Sequence, residues 1–295
     1  MKGFGRILTA MVTPMKENGE VNYEEAGKLA RHLVETGSEG VVVSGTTGES
    51  PVLSVEEKCQ LFKVVRETVT NKAAVIAGTG SYNTADSIEL TKQAEKIGCD
   101  GIMLVTPYYN KPSQEGLYRH FKAVASQTGL PVILYNVPGR TALNMLPETV
   151  ARLAAIENII AVKEASGSLD QVAEIKRMTP GDFLVYSGDD SMTLPILSVG
   201  GYGVISVASH LAGKMIQEMV TSFVTGKVKT ARELHLKLFP LYKVLFITTN
   251  PVPVKAAVEF IGIKAGAPRL PLVRATEQEV NAIKQVMGEL GLLLP

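Results

Sequence analysis

Asn158-Ile159-Ile160-Ala161-Val162-Lys163-Glu164 is a run of β-branched and small apolar residues that ends on a lysine. Unbroken apolar character, without polar alternation, marks a strand covered on both faces, as in a parallel sheet. Runs of the same character occur at 7–12, 40–43, 73–77, 101–105, 132–135, 183–186 and 202–207, which makes eight with this one. Between them lie polar stretches with helical spacing at 23–35, 55–69, 84–97, 115–126, 147–155 and 169–178. Two of these carry start signals: Ser54-x-x-Glu57 reads as a capping box, and Pro147 sits where a first helical turn tolerates proline. Eight strands alternating with helices across short connections predict an α/β fold, a (β/α)8 TIM barrel, because eight consecutive parallel strands close and remove both edges. An open doubly wound sheet is the alternative. After the eighth run the pattern turns wholly helical, so residues 1–226 are assigned to the barrel and 227–295 to a C-terminal extension of about three helices. No linker or low-complexity tract separates the two, which predicts one continuous structure.

The 295 residues carry 30 Lys plus Arg against 29 Asp plus Glu, a net charge of +1, which gives no field for nucleic acid or an anionic membrane surface. Cys59 and Cys99 stand far apart with no C-x-x-C spacing, excluding a disulfide scaffold and a cysteine zinc site and predicting two reduced, buried thiols. Met1-Lys2-Gly3-Phe4-Gly5-Arg6 has no signal-peptide apolar core, and no run reaches the roughly 18 residues of a membrane span, so a cytoplasmic location is expected. His32, His120, His210 and His235 share no spacing, which argues against a histidine base or zinc centre.

In such a barrel the chemistry belongs at the C-terminal ends of the strands. Lys163 stands there, and lysine is rarely buried without a reason. Desolvation favours its neutral form, and a neutral amine attacks carbonyls to form a Schiff base. Alternatively, the side chain snorkels past the rim or pairs with Glu164. Strand two runs into Ser44-Gly45-Thr46-Thr47-Gly48-Glu49-Ser50, whose glycines, hydroxyls and N–H groups suit a carboxylate or phosphate, or serve only a tight turn. It is not a Walker loop, and no G-x-G-x-x-G follows a strand. Strand five ends in Tyr135-Asn136-Val137-Pro138-Gly139-Arg140-Thr141, offering a phenol for proton transfer and a guanidinium to grip a carboxylate. Strand four adds Tyr108 and Tyr109, and strand seven adds Ser187-Gly188-Asp189-Asp190, preferred as a helix cap with substrate contact over a metal site.

Taken together, Thr13-Pro14, Gly45-Thr46-Thr47-Gly48-Glu49, Tyr135 to Thr141, Val162-Lys163-Glu164 and Asn250-Pro251 resemble the pyruvate-dependent class I aldolase and lyase family, which includes N-acetylneuraminate lyase. The resemblance spans essentially the whole chain. The double threonine and the arginine after Tyr-Asn-Val-Pro are similar to the branch that condenses pyruvate with L-aspartate 4-semialdehyde, the first committed step of diaminopimelate and lysine biosynthesis. The resemblance implies that Lys163 forms the Schiff base, that Tyr135 passes protons, and that Thr46 relays them toward Tyr109 of a neighbouring subunit. It further implies that Thr47 and the Ile205 backbone hold the pyruvate carboxylate, that Arg140 holds the aldehyde's carboxylate, and that Gly188 lines the second-substrate site. No metal or organic cofactor is implied, and the expected assembly is a homotetramer, a dimer of dimers. A related aldolase acting on a sugar acid, and a non-catalytic 2-oxo acid sensor, are the competing readings. In lysine-inhibited members, two positions near the effector carry histidine or glutamate; here they are Val55 and Lys58. At about 4 Å and an effective dielectric near 20, repulsion between Lys58 and a bound lysine costs on the order of 4 kcal/mol, so insensitivity is expected.

Overall fold

The computed structural model describes residues 3–294. Eight strands, β1 Ile7–Ala10, β2 Gly40–Val43, β3 Ala74–Gly78, β4 Gly101–Val105, β5 Val132–Asn136, β6 Ile159–Glu164, β7 Leu184–Ser187 and β8 Gly203–Ser206, close in sequence order into a parallel barrel. The ring is sealed by β8 pairing back on β1, with Leu8 opposite Ile205. The helices are α1 Tyr23–Glu35, α2 Val55–Val69, α3 Thr84–Ile97, α4 Gln114–Ala125, α5 Pro138–Thr141, α6 Pro147–Ala154, α7 Leu169–Met178, α8 Thr193–Ser198 and α9 Ser209–Val224, followed by α10 Val228–Val244, α11 Val252–Glu259 and α12 Glu277–Glu289.

Local rules account for the helices. In α1, Ala26, Leu29, Ala30 and Leu33 recur on one face and are fully buried, while the Asn22 side chain accepts from the Glu25 N–H at the start. The capping box of Ser54 and Glu57 opens α2, and Pro147 occupies the first turn of α6. Two helices were not anticipated, α5 and α8, both too short to display a period. The first strand stops at Ala10, earlier than the apolar run. Cys99 is buried, whereas Cys59 is only partly so, correcting the expectation for that thiol.

The pleat decides which side chains reach the site. Leu8, Ala10, Val42, Ile76, Met103, Ile133, Tyr135, Ala161, Tyr186 and Ile205 pack together inside the barrel. Their strand neighbours, among them Val41, Val43, Leu134, Val162 and Val185, pack against the helices. Register between β5 and β6 slips at the start: Val132 pairs with Ile159 but Ile133 pairs with Ala161, leaving one extra residue, Ile160, on β6. Such an irregularity re-aims every side chain beyond it. From there Tyr135 pairs with Lys163 and Lys163 with Tyr186, so the lysine shares the inward face of both tyrosines.

The last three helices fold back onto the barrel: α10 lies along α9, and α12 packs on α10 and α11 through the buried Ile283 and Met287. Among the described residues no helix is long and apolar enough to cross a membrane.

Candidate active site

Lys163 is 5% exposed, and its Nζ lies 4.2 Å from the centre of the Tyr135 ring. Burial pulls its pKa down to about 8; the Asp190 charge opposes that shift and the Arg140 charge adds to it. Neither alternative for this lysine holds. The side chain does not snorkel, and Glu164, on the opposite face of β6, accepts instead from Asn136 Nδ2 at 3.0 Å, Ser166 N at 2.7 Å and Gln171 Nε2 at 3.1 Å. Among the described residues Lys163 Nζ meets no hydrogen-bond acceptor, which leaves a desolvated amine facing only a ring.

Tyr135 is buried beside it, and burial pushes its phenol up to about 12, with the Arg140 charge and the Thr46 side chain pulling in the other direction. The group is therefore a neutral donor at physiological pH. A cavity of about 210 Å³ opens above, walled by Ser44, Thr46, Tyr108, Tyr135, Arg140 and Thr141 among others. Arg140 reaches this wall from α5, the short helix that Pro138 starts directly after β5, and its Nη2 donates to the Asn250 carbonyl at 3.4 Å.

The loop after β2 is folded tightly upon itself. Ser44 and Glu49 take positive φ, 55° and 59°, and the N–H groups of Gly48, Glu49 and Ser50 bond back to Gly45 and Thr46 carbonyls. Three of the N–H groups expected to face the mouth, those of Gly48, Glu49 and Ser50, are thus spent within the loop. A Cβ on Gly78 of β3 would sit 2.5 Å from the Ser44 carbonyl, so glycine is what lets the loop lie against the barrel. Thr47 is buried, and its Oγ1 accepts from Asn250 Nδ2 at 2.9 Å. With one of the two Oγ1 lone pairs engaged by the amide, the Thr47 proton is left to donate elsewhere.

Gly188 follows β7, and a Cβ there would come within 2.7 Å of the Ala165 Cβ and 3.2 Å of Lys163 Cε. It makes room for the lysine stem. Ile205 is buried in β8 within the barrel interior. Lys163, Thr47, Gly188 and Ile205 lie outside the lining of the cavity, and so does Tyr109, which differs from them in being 93% exposed, with φ of 71°. Asp189 caps the turn that follows, accepting from Ser191 N. Asp190 is buried and accepts from the Ser206 hydroxyl and the Val207 and Ala208 N–H groups, so it fastens β8 and does not line the cavity.

Lys255 is a second buried lysine, which the sequence reading did not single out. It is 1% exposed, and its Nζ donates to Glu49 Oε1 at 2.7 Å, the Thr13 carbonyl at 3.0 Å and the Ala267 carbonyl at 3.1 Å. Glu49 Oε2 in turn accepts from Arg269 N at 2.8 Å. The available signal was the setting of Lys255 in Pro253-Val254-Lys255-Ala256-Ala257-Val258, a single charge amid apolar neighbours.

A closed parallel barrel with a spare, desolvated amine beside a phenol, and with a hydroxyl loop and an arginine at the rim, is the framework of an aldolase-type barrel protein. A family model described as the Dihydrodipicolinate synthetase family matches residues 3–290, and the chain belongs to that family. The 4-hydroxy-tetrahydrodipicolinate synthase of Desulforudis audaxviator is 61% identical over 290 residues, covering 98% of this chain and 99% of the relative. Its counterpart in Desulforamulus reducens is 60% identical, covering 98% of each. The crystal structure of the synthase from Cyanidioschyzon merolae with lysine bound superposes with a TM-score of 0.97 at 49% identity, covering 98% of this chain and 99% of that one.

Proposed function

We propose that this chain is a lyase that condenses pyruvate with L-aspartate 4-semialdehyde to give 4-hydroxy-tetrahydrodipicolinate, entering diaminopimelate and lysine biosynthesis. The observation that carries the reading is the unpartnered Lys163 amine held against Tyr135 inside the barrel. Lys163 Nζ attacks the pyruvate ketone and water leaves, forming an imine whose protonated nitrogen acts as an electron sink. The methyl then loses a proton, and the enamine attacks the aldehyde carbon. Ring closure by the aldehyde substrate's own amine displaces Lys163 and frees it for another turn. Tyr135 carries the protons, with Thr46 and a partner subunit's Tyr109 as relay, which fits the exposure of Tyr109 in its own chain. Thr47 and the Ile205 backbone hold the pyruvate carboxylate, while Gly188 lines the second-substrate side. The 1–226 barrel and the 227–295 extension act as one unit in a homotetramer of two dimers. Aspartate semialdehyde turnover, measured with pyruvate, tests the activity and separates it from a sugar-acid aldolase.

Arg140→Ala should damage use of the aldehyde most. Its guanidinium is solvent-exposed at the rim, so the loss falls at the low end of the roughly 1.5–3 kcal/mol of a charge-assisted hydrogen bond, about tenfold in kcat/KM for the aldehyde. Because its charge also helps hold the Lys163 pKa down, the pH profile of imine formation should shift upward. An equal fall in imine formation and aldehyde turnover would instead make Arg140 an organiser of the whole pocket.

The structure of the C. merolae enzyme has lysine bound; in this chain the two positions that the resemblance sets beside such an effector are Val55 and Lys58. Val55 is 48% exposed at the start of α2, and Lys58 is partly buried one turn on. Burial lowers the Lys58 pKa, and the Asp86 charge counters it. Initial rates should stay flat up to about a millimolar L-lysine, and clear inhibition below that would show that Lys58 does not block the effector.

A further inference from the structure

Asn250 touches both halves of the site. Its side-chain Nδ2 donates to Thr47 Oγ1 at 2.9 Å, and its main-chain carbonyl accepts from Arg140 Nη2 at 3.4 Å. Asn250 lies in the segment between α10 and α11, 203 positions from Thr47 and 110 from Arg140, so neither contact is a by-product of local chain geometry. The residue is 5% exposed, yet its Oδ1 has no hydrogen-bond partner. A buried amide left half-satisfied is a poor structural cross-link, and such exceptions call for another explanation. Here its one side-chain bond is spent on a hydroxyl with two possible roles. A threonine that accepts from an amide N–H has its proton free to donate, whereas without that bond the hydroxyl rotates among its staggered positions.

Resting on the function proposed above, we infer that Asn250 is a positioning residue: its amide turns the Thr47 proton toward the pyruvate carboxylate, and its carbonyl separately steadies the arginine for the second substrate. The two contacts come from different parts of one residue, so side-chain substitution removes the first and spares the second. Asn250→Ala should therefore raise the pyruvate concentration for half-maximal borohydride trapping by about tenfold, the effect of losing one oriented hydrogen bond, while the KM for the aldehyde changes less than twofold. Asn250→Asp keeps the shape but only accepts from Thr47, pulling the proton away from the substrate, so pyruvate use should fall at least as far as in the alanine variant. In a Thr47→Val background, Asn250→Ala should cost pyruvate nothing further.

The experiment is pyruvate-dependent borohydride trapping, read by intact mass, for the wild-type protein, the two Asn250 variants and the Thr47→Val pair, alongside steady-state kinetics with both substrates. A wild-type protein that forms no pyruvate adduct would overturn the functional reading itself. A wild-type protein that traps pyruvate, with Asn250→Ala doing so at unchanged half-saturation, with Asn250→Asp recovering the alanine loss, or with Asn250→Ala costing as much in the Thr47→Val background, would overturn only the role of Asn250.

Discussion

Lys163→Ala should abolish borohydride trapping of pyruvate and lower turnover by several orders of magnitude, on the order of 10⁴ or more, because a covalent route loses its only nucleophile. The fold should survive. Lys163 Nζ makes no hydrogen bond among the described residues, so the change breaks no polar network and removes a group that burial already disfavours as a cation. The wild-type adduct should also form faster as pH rises through about 8: below that value the amine holds a proton and has no lone pair to offer, and above it the neutral form predominates. Single-turnover trapping across pH 6 to 10 measures this. Undiminished trapping in the alanine variant would move the nucleophile to another lysine.

Lys255→Met should produce the largest loss of stability. Lys255 and Glu49 are each 1% exposed and 2.7 Å apart, and removing the cation strands a buried carboxylate. Breaking one side of a buried pair costs about 3–5 kcal/mol, which for a chain of this size lowers Tm by on the order of 10 °C. Glu49→Gln added to Lys255→Met should recover much of that loss, since the stranded charge is then gone. Thermal unfolding of the two variants decides the matter, and a Lys255→Met protein melting with the wild type would show the pair to be energetically idle.

The two lysines also show what a chain of letters reveals. Lys163 was legible because it ends a run whose apolar character already demanded burial, and α1, α2, α3 and α7 were legible at their full lengths because each repeats its apolar face over several turns. The four residues of α5 and the six of α8 are too short to repeat anything. The contacts that Asn250 and Lys255 make escaped for another reason. Their partners Thr47 and Glu49 lie 203 and 206 positions away, and nothing local to either end encodes the meeting. The inward aim of Lys163, as opposed to its mere burial, was likewise out of reach, because it depends on the extra residue Ile160 that resets the β6 pleat.

The long reach of Asn250, Lys255 and Arg269 to the loop after β2 also orders events during synthesis. All eight strands have been made once Ser206 leaves the ribosome, so the barrel has every strand needed to close before the last third of the chain exists. The threonine loop, made early, still lacks the amide on Thr47 and both partners of Glu49 until residues 250–269 follow. A nascent chain thus acquires its reactive amine well before its carboxylate clasp is secured by residues 250–269.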